Sequence, residues 1–406
     1  MLAGVLGPYR EVLSVPGAPA FVAAGALARL PISMVGLGIV FLVQATTGSY
    51  GVAGAVAAVF GLVQAVASPV VARAVDRWGQ ARVMRPAIAV HVLGLVLLVA
   101  FAQYGLPIGA VVAAAALAGA TIGSLGALVR ARWSYVLGQD TRRRHTAYSL
   151  ESVLDEAVFI GGPLLVTVLA TQASPTFGLL AAAAAVAVGG SLLMAQHRTE
   201  PPPSGVRAVA GTGVLRSPGM VVVVLAFLFV GVIFGAVEVV TVAFTQERGA
   251  PAAAGWVLAS FALGSMLAGV GYGLVQWRSP SVQRFRLGVV LLAVGVVPVS
   301  LVQEVWLLAM VGFVAGFTIS PMLISGNAVV QDLVVPARLT EGLTWIATAL
   351  GLGVAGGAAV AGQVVDAAGA HTAFRVPVAA GLAAAVIALA GWRWLRAAAT
   401  LPTAPV

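Results

Sequence analysis

The sequence contains no cysteine. That absence removes a disulfide framework, a cysteine-type metal centre and thiol catalysis together. Histidine is nearly as scarce: His91, His145, His197 and His371 are scattered along the chain, too dispersed to make a zinc site. Lysine is missing as well, and all 22 basic residues are arginine. That bias reflects GC-rich coding, like the abundance of Ala, Gly and Val, and carries little mechanistic meaning. Charge of either sign is sparse, at 9% of residues, where a soluble domain holds about a quarter. A cleavable signal is not expected either, because the first long apolar run, 18–43, is too long for a signal h-region. No soluble regulatory domain is visible.

What fills the 406 residues is apolar: 60% of them are hydrophobic. A chain of this composition cannot cover a water-facing surface with polar groups, so the bilayer is its natural solvent. A membrane span needs roughly 20 mostly apolar residues. Twelve candidates satisfy that measure: 18–43, 52–72, 86–103, 107–130, 146–170, 175–196, 218–244, 252–276, 286–303, 306–330, 341–364 and 373–394. Their small residues allow helix backbones to approach closely, so an all-α bundle of packed spans is expected.

The arginines orient this bundle. With the amino terminus inside, 19 of the 22 fall in cytosolic segments; Arg248 and Arg375 lie outside and Arg29 lies within a span. This is a strong positive-inside pattern. The formal charge of +9 is therefore a topology signal, and no nucleic-acid partner is needed to explain it. The expected location is the cytoplasmic membrane of a bacterium, multi-pass, with both termini cytosolic.

The longest polar break, HRTEPPPSGVRAVAGTG (197–213), follows span six. Its prolines and polar residues read as a cytosolic linker. The expected organisation is a six-helix bundle over 1–196, a linker over 197–217 and a second six-helix bundle over 218–406. Internal symmetry agrees with it. Arg144-x-Thr146 precedes span five and Arg338-x-Thr340 precedes span eleven, while basic segments join spans two to three and eight to nine. Two parallel six-span halves are a transporter architecture, with the binding site between them near the midplane.

The segment ARAVDRWGQAR (72–82), between spans two and three on the inner side, resembles the loop signature of the major facilitator superfamily. Asp76, Arg77 and Gly79 match in type and spacing, with Arg82 one step beyond the usual basic pair; Ala72 stands where the signature has Gly. The resemblance covers the whole chain. It implies alternating access by rocking of two bundles, with spans one, four, seven and ten lining the cavity. It also implies a gating role for the motif: Asp76 can accept hydrogen bonds from a helix N-terminus, whose dipole favours an anion, and Arg77 can pair with an acid on the cytosolic face. A positive-inside loop alone would need neither Asp76 nor Gly79.

Ionisable groups inside spans are costly and mark functional candidates. Arg29 in span one and Glu151, Asp155 and Glu156 in span five lie at similar depth, and Glu151 and Asp155 share a helix face. An Arg29–Asp155 or Arg29–Glu156 pair is expected, either as the carrier of a coupling proton or as a permanent brace. Glu238 in span seven is a cavity candidate or a wetted residue near the outer interface. Gln64 and Asn327 are polar cavity candidates that could equally join helices.

Gly161-Gly162-Pro163 in span five resembles the core of the drug/proton antiporter motif. Val158, Val166 and Thr167 depart from the rest of that motif, and the antiporter arginine of mid-span four is not evident. The expected activity is secondary transport of a small organic molecule, proton-coupled and directed outward. Inward symport on the same fold is the alternative, and an integral-membrane enzyme is disfavoured by loops that offer mostly Arg. The implied partners are a small-molecule substrate, protons and lipid, with no cofactor or metal, and the chain is expected to act as a monomer.

Overall fold

In a computed structural model the described residues are 9–122, 125–138, 140–203, 214–274, 277–334 and 339–397. Among them the chain is helical, with short turns and no strand. A spanning chain must satisfy its backbone hydrogen bonds internally, and helices do so segment by segment. In order they are α1 (Ala18–Arg29), α2 (Pro31–Thr47), α3 (Tyr50–Trp78), α4 (Gln80–Gln103), α5 (Ile108–Thr121), α6 (Leu125–Leu137), α7 (Thr141–Gln172) and α8 (Phe177–Ala195). Then come α9 (Pro218–Glu247), α10 (Ala254–Leu274), α11 (Ser281–Val296), α12 (Val305–Gly316), α13 (Ile319–Leu333), α14 (Leu339–Ala373), α15 (Arg375–Ala390) and α16 (Trp392–Ala397).

Among the described residues eleven spans are long and apolar enough to cross a bilayer, and three of them join two α-helices: Ala18–Thr47, Ile108–Leu137 and Val305–Leu333. The twelfth expected span is the apolar helix α15, with 16 residues. At 1.5 Å per residue it is ~24 Å long, short of the ~30 Å hydrocarbon core; α16 follows it after a turn at Gly391.

Helices overrun the expected spans where charge begins. α3 continues to Trp78 and α4 starts at Gln80, so Arg73, Asp76 and Arg77 sit on one helix end and Arg82 and Arg85 on the next. The expected loop reduces to Gly79. Likewise α6 carries the fourth span to Leu137, which places Arg130 and Arg132 on a helix and not in a loop. Hydropathy ends a span at its first charges, whereas a helix continues when those charges find partners.

The chain forms two compact units: Met1–Thr46 with Val63–Ala208, and Thr47–Leu62 with Val209–Val406. In the first, α1 packs on α8, and α4 on α5 and α8; in the second, α9 packs on α15, and α11 on α13 and α15. Spans one and six, three and four, and three and six thus recur as seven and twelve, nine and ten, and nine and twelve. This repeat of packing pairs is the structural side of the internal symmetry, although Arg338 of the sequence repeat lies outside the described residues.

Small residues make the contacts, as lipid-immersed helices require. A Cβ on Gly94 would lie 2.7 Å from the Ala118 nitrogen, and one on Gly189 2.5 Å from that of Ala28. The second unit takes this furthest. A Cβ on Gly231 would stand 2.1 Å from the Leu350 carbonyl oxygen, on Gly235 1.9 Å from that of Val354, and on Gly353 1.9 Å from that of Leu228. α9 and α14 therefore meet backbone to backbone. At the far end of α14, Asp366 accepts hydrogen bonds from the Tyr50 and Gly51 amides at 2.8 and 2.7 Å and from Ser49 Oγ at 2.5 Å, all three on the second unit's segment.

Candidate functional site

The polar interior of the first unit gathers where spans one, four and five meet. Arg29 closes α1, directly before the kink at Leu30–Pro31. Proline fits the first turn of a helix, where its missing N–H costs nothing, so span one restarts there. The Arg29 guanidinium is fully engaged: Nε donates to the Gly25 carbonyl at 3.1 Å, Nη1 to Asp155 Oδ1 at 2.7 Å and Nη2 to Glu151 Oε2 at 2.5 Å. The 151/155 spacing puts both carboxylates on one face of α7. Glu151 is completed by Trp133, whose indole N–H donates to Oε1 at 2.9 Å. Asp155 is completed by Arg130, whose Nη2 donates to Oδ2 at 2.7 Å.

Two arginines and two carboxylates make this group electrically balanced, yet its halves differ. The Arg29 and Glu151 side chains are 1% and 0% exposed. Asp155 and Arg130 are 30% and 35% exposed. Charge facing hydrocarbon is prohibitively costly, so the second pair faces water. Asp155 lies ~14 Å along α7 from Thr146, where the span begins, at 1.5 Å per residue, in a span of 27 residues. The wet pair thus lies about a third of the way into the span.

Spans four and ten are each broken. Span four is interrupted after Thr121, where Ile122 has extended backbone angles, and span ten is interrupted between Gly316 and Ile319. The breaks fall after 14 helical residues in α5 and 12 in α12.

The other expected residues are placed as follows. Glu156 is partly exposed and makes no ion pair or hydrogen bond among the described residues. Glu238 is partly exposed on α9, in the second unit, and makes none either. Gln64 is partly exposed on α3. The Asn327 amide donates to its own helix, to the Leu323 carbonyl at 2.7 Å. A Cβ on Gly162 would lie 1.9 Å from Ser33 Oγ, and Ser33 donates to the Val158 carbonyl at 2.8 Å. Gly162 thereby lets α2 reach α7 in the turn before the buried Pro163, while Gly161 has open space beside it.

At the Asp76–Arg82 motif, Gly79 supplies the whole turn between α3 and α4 with φ of 92°, a conformation natural to glycine. Its N–H donates to the Val75 carbonyl at 2.8 Å. The Arg77 guanidinium lies 5.2 Å from the Trp78 ring centroid, and Arg82 is exposed. Glu200, from the segment after α8, accepts from the Ala81 amide at 2.8 Å and so caps α4. A Cβ on Gly79 would sit 3.3 Å from the same Glu200 oxygen. Beside it the buried Arg132 donates to Gln80 Oε1 at 2.8 Å, to the Gln196 carbonyl at 2.7 Å and to Thr199 Oγ1 at 2.8 Å. The start of the segment after span six is therefore bound to the first unit.

Sequence reasoning did not single out Arg130, Arg132, Trp133 or Glu200. The first three follow the apparent end of an apolar run. Their spacing was the available signal: Arg130 and Trp133 are three apart and share a helix face.

A family profile described as Major Facilitator Superfamily matches residues 21–284 and 237–405. No curated protein matches the sequence. Among solved structures, the chain is similar to the nucleoside transporter NupG, with TM-score 0.70 and 15% identity over 94% of this chain and 100% of that one. It is also similar to a POT family transporter in complex with a thioalcohol-conjugated peptide, with TM-score 0.67 and 12% identity over 92% and 95%. A third is the human organic anion transporter MFSD10, with TM-score 0.59 and 16% identity over 95% and 99%. At these identities the likeness is one of fold.

Proposed function

Because the chain belongs to the major facilitator superfamily, we propose that this multi-pass membrane protein is a proton-coupled secondary transporter that exports a small organic molecule by alternating access. The observation that carries the reading is the divided charge group of spans one, four and five. Its dry half, Arg29 with Glu151, braces the helices. Its wet half, Asp155 with Arg130, can exchange a proton with water. Asp155 is held by two arginines at once. A movement that withdraws either one changes the pairing of the carboxylate, and that links the charge group to the conformational cycle.

In this reading both termini are cytosolic, the host membrane is the bacterial cytoplasmic membrane, and the protein works as a monomer built from bundles over 1–196 and 218–406. Asp76, Arg77, Gly79 and Arg82 serve as the inner gate, with Glu200 fixing the helix that starts at the motif. Glu238, Gln64 and Asn327 are the candidate cavity groups. Inward symport is the second reading, favoured by Val158, Val166 and Thr167, which depart from the antiporter pattern around Gly162-Pro163.

The test is substrate-dependent proton flux in proteoliposomes under an imposed pH gradient. Protons moving against the substrate indicate antiport, and protons moving with it indicate symport. No flux with any compound that binds would remove the transport reading.

A further inference from the structure

Arg130 is the arginine of the charge group with the greater capacity to spare. Arg29 uses all three of its nitrogens. Arg130 uses Nη2 alone, for Asp155, and its Nε and Nη1 make no hydrogen bond among the described residues. Its side chain is 35% exposed, and a charge within a span faces the bundle interior or a water-filled cavity. Asp155, in turn, does not depend on it: with Arg130 gone, Asp155 Oδ1 still accepts from Arg29 Nη1 at 2.7 Å. The geometry therefore holds a cation that can change partners without leaving Asp155 unpaired.

We propose that Arg130 binds a carboxylate carried by the transported molecule, exchanging Asp155 for it while Asp155 stays on Arg29. This rests on the transport reading and deepens it by assigning the substrate class, an organic molecule with a carboxylate. A planar guanidinium suits that group because two parallel N–H donors match its two oxygens. The exchange also gives Asp155 a part in coupling. A substrate that takes Arg130 leaves Asp155 with Arg29 as its ion-pair partner, so substrate binding changes the pairing of this carboxylate.

The chain has no cysteine, so a single engineered one can be followed without background. In Arg130→Cys protein, the water-soluble anionic thiol reagent 2-sulfonatoethyl methanethiosulfonate should label position 130 in the membrane. Absence of labelling in reconstituted protein would overturn the wet placement of this side chain, and the proposal with it. Binding is then read by thermal shift on purified full-length protein, with a panel of aromatic and aliphatic monocarboxylates, each beside its neutral amide. Stabilisation by carboxylates and not by their amides is expected. Arg130→Gln should weaken that binding about tenfold or more, Arg130→Lys should recover part of it, and Asp155→Asn should retain it. The unliganded Arg130→Gln protein should melt close to the parent, which separates a binding role from a bracing one. Failure of every carboxylate to stabilise the parent, or equal binding by Arg130→Gln, would overturn the proposal. Carboxylate binding that depends on Arg130 but produces no flux in proteoliposomes would remove the transport reading and leave this assignment standing.

Discussion

Spans one and five of the first unit correspond to spans seven and eleven of the second, yet the two pairs are held by opposite means. In the first unit α1 reaches α7 through a charged group: Arg29 bridges Glu151 and Asp155. In the second, α9 meets α14 through glycines, with backbone against backbone at Gly231, Gly235 and Gly353. Dispersion contacts between backbones need no partner to change state, so the glycine seam is a fixed joint. Ion pairs with one half in water can exchange partners. In the proposed reading the chemistry belongs to the first unit, although the second also holds Glu238, an acid of its spans with no partner among the described residues.

The largest effect expected is from Arg29→Leu. It leaves Glu151 buried and without its cation, which costs about 3–5 kcal/mol when one member of a buried pair is removed. Thermal unfolding in detergent should show a large loss, or no folded protein at all. A normal melting temperature would show that the buried pair is not the brace. Gly235→Leu tests the opposite joint. A Cβ there already falls 1.9 Å from the Val354 carbonyl oxygen, so about 1–3 kcal/mol of overpacking is the minimum expected. An unshifted melting curve would mean that α9 and α14 are not in close contact.

How much of this comparison can be read from sequence depends on what charge does to a helix end. The twelve-span plan, the placement of Arg29 with the span-five acids at one depth, and the family signature at Asp76–Arg82 are all legible. The extension of α6 to Leu137 is not. Arg130 and Arg132 end a hydropathy run, and only their partners Asp155, Gln80 and Thr199, distant in sequence, allow the helix to continue through them. Glu200 is hidden for a related reason. It lies in a proline-rich segment that reads as linker, and its role is visible only when α4 begins at Gln80 beside it. The glycine seam is half legible: small residues abound in every span, so their number does not say which pair of helices they join.

A smaller effect should follow from Glu200→Ala. Loss of the cap on α4 is worth about 1 kcal/mol, read as a modest drop in melting temperature. It also sharpens the comparison, because reduced transport at nearly normal stability would place Glu200 in the gate beside Gly79. The smallest stability effect belongs to Glu238→Gln. With no partner to lose among the described residues, stability should stay within about 0.5 kcal/mol, whereas transport should fall if the second unit contributes to the cavity. Unchanged transport would remove Glu238 from the candidate cavity groups.

The most direct test of the divided charge group uses Asp155→Asn. The variant keeps the shape and removes the exchangeable proton from the wet half. It should be reconstituted in proteoliposomes containing a pH-sensitive dye and challenged with compounds that stabilise the purified parent protein. The account predicts substrate-dependent proton movement in the parent, none in Asp155→Asn, and substrate exchange across the membrane in both. Proton movement by Asp155→Asn at the parent's rate would contradict it.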